Sequence, residues 1–401
     1  MLNNSAYCLS IKVVLILSLL ITLTTLSAVQ AAPWSAPINL TNSEQTEADV
    51  VISGNGEKVA FARNDGEDWE IFVVNADGTG LKQLTDNSVD DRDPSISADG
   101  SKVAFRHGVF GQRQICIINS DGSGFKELTA GTYDDVDLAI SGDGNKIAFT
   151  RIMDKNIHLF IINSDGSGLK QLTQRTEDYF PFAENPAISG DGGKIVFQNN
   201  ADTGREIFSI NADGSGLKQL TTCESESYSK NITPSISKDG KKVAFVYSTS
   251  ILNENNTEIY IVNSDGSQRT QLTHNDIGDS CSSISGDGAK IAFQQGFDNY
   301  TEIFVISSDG SGLMRLTNNN ANDLYPAISD RGDKVVFESN GDIFIVINDA
   351  SQENQTQPTE NSGQMVDSNG ESAFPTELLV GIIVAVTIMA AVLGTVYLKR
   401  K

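Results

Sequence analysis

The chain has 401 residues, 39% apolar and 20% charged, which is ample for a buried core. Asp and Glu number 52 against 29 Lys and Arg, and the net charge of -23 excludes the basic footprint that a nucleic-acid binder needs. Four Cys and three widely spaced His exclude a disulfide-dense scaffold and a His-rich zinc site.

Residues 1–31 read as a secretory signal peptide. Lys12 precedes an apolar run, and Val29-Gln30-Ala31 suits cleavage; an uncleaved N-terminal anchor is the alternative. Next comes Pro37-Ile38-Asn39-Leu40-Thr41, which has the pattern of a strand without a partner nearby in sequence.

One unit then recurs seven times. The Ile of an Ile-Ser pair marks it at Ile52, Ile96, Ile140, Ile188, Ile236, Ile284 and Ile328. Each unit predicts four short strands. The first ends at that Ile, and a turn follows on pairs such as Asn55-Gly56 or Asp99-Gly100, which tolerate positive φ. The second strand is of the Lys-Val-Ala-Phe type. The third is a nearly continuous apolar run such as Ile71-Phe72-Val73-Val74, as expected of a strand covered on both faces. A second turn, Asn-Ala/Ser-Asp-Gly-Ser-Gly, leads into a fourth strand of the Leu-Lys-Gln-Leu-Thr type. Its recurrence at one junction marks it as turn chemistry rather than a calcium loop. The seventh unit stops after its third strand, so Pro37–Thr41 is expected to supply the missing fourth and close the ring. The predicted fold is all-β: a seven-bladed β-propeller of four-stranded blades over residues 36–349.

Residues 350–375 are polar and read as a disordered tether, with a reach on the order of 30 Å as a flexible coil. Residues 378–398 carry no charge and are long enough for a transmembrane helix, followed by a basic tail at 399–401. This arrangement predicts a single-pass cell-membrane protein, propeller outside and C-terminus in the cytoplasm.

The phrase Ile-Ser-x-Asp-Gly-x-Lys-Ile/Val-Ala-Phe, followed by Glu-Ile-Phe/Tyr and Asn-Ala/Ser-Asp-Gly-Ser-Gly, resembles the propeller repeats of TolB-like proteins. The resemblance covers essentially the whole folded part. It implies the fold; it does not imply one function, since such repeats serve many. The α/β domain that precedes the TolB propeller is missing, and TolB lacks a C-terminal anchor, so its lipoprotein partner is not carried over. The layout looks more like cell-surface proteins of archaea.

The segments between a fourth strand and the next first strand are read as acidic loops at the channel mouth. Asp91 with Asp93 and Asp135 with Asp137 share register in successive units and are the candidate Ca²⁺ ligands, carboxylates being hard oxygen donors. Solvated acidic loops are the plainer reading. Tyr133, Tyr179, Phe180 and Tyr228 lie in the same segments and are candidate ligand-binding aromatics; packing between blades is the alternative. Tyr325, just before Pro326, is expected to pack. His107, His158 and His274 occupy different frame positions and are not expected to converge. Cys116 is expected to be buried, and Cys223 with Cys281 is a candidate disulfide. Asn231, Asn255, Asn299 and Asn354 head glycosylation sequons. No catalytic motif appears. The reading is a non-enzymatic module that binds a protein or an envelope polysaccharide. A surface polysaccharide hydrolase or lyase using loop carboxylates and a structural envelope protein are the alternatives.

Overall fold

A computed structural model describes residues 34–174, 182–201, 204–223, 230–248, 257–297 and 300–348. The chain divides into two units, Met1–Asn354 and Gln355–Lys401, and every described residue belongs to the first. The signal peptide, tether, transmembrane helix and tail assigned from sequence lie outside the described residues, as do Tyr179, Phe180, Tyr228, Asn255, Asn299 and Asn354. Among the described residues there is no helix long and apolar enough to cross a membrane.

The described elements are all strands. The first repeat forms an antiparallel sheet of Glu47–Ile52, Lys58–Asn64, Trp69–Asn75 and Lys82–Gln83, paired in chain order. The second (Asp91–Ile96 to Lys126–Glu127), third (Asp134–Ile140 to Lys170–Gln171) and sixth (Asp279–Ile284 to Met314–Arg315) repeat this order. The fourth (Glu184–Ile188 to Lys218–Gln219) and fifth (Lys230–Ile236 to Thr270–Gln271) do so too, and are joined by one parallel pair, Arg205 with Lys230. The fourth strand is shorter than the five-residue phrase suggests: two residues pair, and the following Leu and Thr, such as Leu84 and Thr85, turn inward.

The last sheet closes as expected. Ile38–Asn39 pairs antiparallel with Asp342–Ile347, Ile38 opposite Ile345 and Asn39 opposite Phe344. Leu40 N donates to Ile343 O at 2.8 Å, and Ser35 N to Ile347 O at 2.7 Å. Leu40 is buried against Val50, Phe61, Phe72 and Ile345, a cluster shared with the first repeat.

The core lies between successive sheets. Each second strand contributes one fully buried Phe: Phe61, Phe105, Phe149, Phe197, Phe245, Phe293 and Phe337. Six of them stack on a ring of the third strand, for example Phe61 on Phe72 with centroids 5.8 Å apart. The second repeat has the buried Cys116 there instead, and Phe105 meets Phe125 of the fourth-strand segment at 6.3 Å.

The first strands are neighbours in chain order, and Glu47–Ile52 also packs on Asp323–Ile328. The turns after them are tied by backbone hydrogen bonds running through every repeat. Asn55 N donates to Ala98 O, Ala98 N to Gly142 O, Asp143 N to Gly190 O and Gly190 N to Lys238 O. Lys238 N then donates to Gly286 O, Asp287 N to Asp330 O and Asp330 N back to Gly54 O, all at 2.8–3.0 Å. Five of the seven residues after the Ile-Ser pair are Gly or Ala, and the larger Lys238 and Asp330 lean over glycine neighbours. A Cβ on Gly190 would lie 2.2 Å from Lys238 Cγ. Five second-strand lysines add a further tie by reaching a turn carbonyl of the next repeat; Lys334 Nζ donates to Gly56 O at 2.7 Å, joining last to first, whereas Lys58 donates to Asn75 Oδ1.

The Asn-Ala/Ser-Asp-Gly-Ser-Gly turns are capped by their own side chains and receive a lysine of the preceding repeat, as Asp213 O does from Lys170 Nζ at 2.6 Å. Asp121 Oδ1 accepts from Ser123 N at 2.9 Å and Ser123 Oγ at 2.6 Å, while Gly122 and Gly124 have φ of 81° and 70°.

Candidate functional site

Every first strand carries a β-bulge, where the register against the second strand shifts. The residue within each shift has positive φ and is not glycine: Asp49, Asp93, Asp137, Asn185, Thr233, Cys281 and Tyr325, with φ from 29° to 60°. The left-handed region is costly for most side chains and least so for Asp and Asn, so this is a conserved geometry across the repeats with a variable side chain. Six of the seven line one cavity of about 410 Å³, together with Ser282 and Glu338.

The lining is asymmetric. Repeats one to three supply Asp49, Asp93 and Asp137; repeats four, five and seven supply Asn185, Thr233 and Tyr325, and repeat six supplies Ser282 beside its bulge residue Cys281. Glu338 joins the acidic half from the last sheet, where Oε1 accepts from Asp49 N at 2.7 Å. Burial, reinforced by the Asp49 charge, pushes the Glu338 carboxyl up to about 7. Burial likewise raises Asp93 and Asp137. Two guanidinium groups partly offset this charge. Arg92 Nε donates to Asp49 Oδ2 at 2.9 Å and lies 4.0 Å from the Trp69 ring centroid, and Arg106 pairs with Asp93. Asp137 Oδ2 accepts from Asn185 N at 3.2 Å.

The acidic segments read as loops are largely the starts of the first strands, which corrects that expectation: Glu47, Asp91, Asp134, Asp135, Asp279 and Asp323 are all buried. Asp91 and Asp135 occupy equivalent positions opposite a second-strand cation. Asp91 Oδ1 is 2.6 Å from His107 Nδ1, and the bond raises the His107 pKa; Asp135 Oδ2 accepts from the Arg151 guanidinium at 2.8 Å. Asp93 and Asp137, two residues on, face the cavity instead. The two members of each expected Ca²⁺ pair are therefore engaged with different partners. Among the described residues no group of three or more His, Cys, Asp or Glu is arranged to hold a metal ion.

Other expectations sort as follows. Tyr133 is 44% exposed, with the Arg151 guanidinium 5.4 Å from its centroid. Tyr325 does not pack as expected; it is 53% exposed and sits at a bulge on the cavity. Cys116 is buried, as read. The Cys223–Cys281 disulfide is not formed: both thiols are free, Cys223 against the buried Glu206 and Cys281 at a bulge. Asn231 is fully buried, with Nδ2 donating to Glu206 Oε2 at 2.8 Å, which leaves no room for a glycan. Sequence reasoning passed over Val109 and Phe110 at the tip of a hairpin. Phe110 is 84% exposed, with Arg113 4.9 Å from its centroid. An apolar pair between Gly108 and Gly111 in a turn was the available signal.

The TolB beta propeller domain family matches over residues 40–230 and 217–371. The chain belongs to the TolB β-propeller family. Its sheets are similar to those of oligogalacturonate lyases, one from Vibrio parahaemolyticus and one in complex with manganese. Both have a TM-score of 0.62, with 14% and 12% identity over 79% of this chain and 96% of each lyase. TolB from Acinetobacter baumannii has a TM-score of 0.50 and 18% identity, over 69% of this chain and 67% of that one. These likenesses carry the fold alone. No curated protein matches the chain. In this TolB-family chain the bulge cavity brings together residues of equivalent position and different charge from successive repeats.

Proposed function

We propose that this TolB-family chain is a binding module, a seven-bladed propeller held outside the cell by a C-terminal transmembrane helix, whose bulge cavity takes a cationic segment of a partner protein. The observation that carries the reading is the half-ring of Asp49, Asp93, Asp137 and Glu338 on one cavity wall. Seven blades are supported by the cyclic order of the first strands and the unbroken run of turn-to-turn hydrogen bonds. Anchoring rests on the apolar run at 378–398 and the basic tail. Low local dielectric strengthens attraction for Lys or Arg in such a cavity, and neighbouring carboxylates repel an acidic polymer. A uronate-rich envelope polysaccharide, the kind of substrate named for the lyases, is therefore disfavoured.

The test uses three labelled probes: a Lys-rich peptide, a Glu-rich peptide of equal length and oligogalacturonate. Fluorescence anisotropy should show saturable binding of the Lys-rich peptide alone, weakened by salt. The triple variant Asp49→Asn, Asp93→Asn, Asp137→Asn keeps residues that accept positive φ, as Asn185 does, and should lose that binding. Equal binding by the variant would move the site elsewhere. Cleavage of oligogalacturonate with manganese present would favour a lyase instead.

A further inference from the structure

The turn between the second and third strands of the first repeat reads Asn64-Asp65-Gly66-Glu67-Asp68, and Asp90 approaches it from the following loop. Asp90 Oδ1 accepts from Trp69 N at 3.3 Å. An acidic turn at a rim is ordinary; Asp68 is not. It is 8% exposed, and neither carboxylate oxygen has a hydrogen-bond partner. The strongest charges acting on it are of its own sign: Asp65, Asp90, Asp91 and Glu67. Cations of the neighbouring strands are engaged elsewhere, Arg63 with Glu47, Arg92 with Asp49 and His107 with Asp91. Glu70, two residues on, is buried as well, with Oε1 accepting from Asn87 N at 2.6 Å.

A buried carboxylate without donors is costly, and native proteins rarely leave one unexplained. The blade does not require it. The equivalent residues of other repeats are Gln112, Asn156, Gly204, Tyr300 and Asn340, none of them acidic. Asp68 lies in a turn at a strand end, and Asp90, which meets the same turn, is exposed, so an ion arriving from solvent meets Asp90 first.

We propose that this turn is a Ca²⁺ site in which the Asp68 and Asp90 carboxylates are ligands and water and main-chain oxygens complete the shell. A cation supplies the missing partner for Asp68 and relieves the repulsion among its neighbours. Ca²⁺ accepts six to eight oxygens in loose geometry, many from water and carbonyls, so two carboxylates suffice without a preformed group of three. Mg²⁺ demands a stricter octahedron and fits less well. So few charged ligands give the weak affinity of extracellular modules, about 10⁻⁴–10⁻³ M. The site is separate from the bulge cavity, and its test does not depend on that reading.

The full chain in detergent is melted across a CaCl₂ series, against NaCl of matched ionic strength, as wild type, Asp68→Asn and Asp90→Asn. Wild type should show a saturable rise in melting temperature of roughly 1–3 °C, half-maximal at about 10⁻⁴–10⁻³ M. Asp68→Asn should abolish the rise, and Asp90→Asn should move it to higher Ca²⁺. Asp90 is exposed, so that variant decides the matter even if Asp68→Asn fails to fold. No rise beyond the NaCl control, as when Asp68 is simply protonated, would overturn the proposal. An equal rise in both variants would overturn it too.

Discussion

Deleting residues 34–41 removes the strand that completes the last sheet, and its cost can be worked from the contacts. The segment contributes two hydrogen bonds at its ends, Ser35 N to Ile347 O and Leu40 N to Ile343 O, and the Ile38–Asn39 ladder between them. At about 1 kcal/mol net for each of roughly four bonds, the backbone part is about 4 kcal/mol. Leu40, 7% exposed, adds about 2–4 kcal/mol for lost burial and the cavity left behind. The sum, about 6–8 kcal/mol, rivals the total stability of a typical domain, about 5–15 kcal/mol. The assay is urea unfolding of residues 32–354 by fluorescence. The deletion should abolish the cooperative transition or shift its midpoint far more than Leu84→Ala, the equivalent truncation inside the first repeat. A deletion no worse than Leu84→Ala would refute the view that the N-terminal strand holds the ring closed.

Two further outcomes are expected. Burial pushes both Glu70 and Glu338 to about 7 and Asp279 to about 6, above their unfolded values, so these groups favour the folded state when protonated. Stability contributed by them should be full below about pH 4, near the unfolded values, and be lost as pH rises through 6 and 7; Glu338→Gln should flatten its share of a melting-temperature profile from pH 4 to 8. Asn231 should carry no glycan, so Asn231→Gln should leave the intact mass changed only by the substitution while lowering the melting temperature, because the amide no longer meets the buried Glu206.

The repeat, its four strands and its turns were legible because each depends on neighbours in the chain. Asp-Gly pairs set the turns locally, and an unbroken apolar run such as Ile71–Val74 announces a strand with both faces covered. The seam was legible by counting: the last repeat lacks a fourth strand and residues 37–41 have its pattern. Fourth strands were overestimated because Leu84 and Thr85 belong to the same phrase as Lys82 and Gln83 but turn inward to the core and to the Ile71 amide.

The sequence alone determined the architecture, since hydrophobic pattern and turn chemistry are written residue by residue. Which carboxylates share a space was decided only by the tertiary structure. A bulge is a register offset between two strands, so Asp93 can face the cavity while Asp91, two residues away, is bound to His107. Tyr325 turns outward and Asn231 inward for the same reason: burial is set by what the neighbouring strands bring, at separations the linear pattern does not encode. The exposed look of the Asp65–Asp68 turn in sequence likewise hides a buried Asp68, which no local pattern encodes.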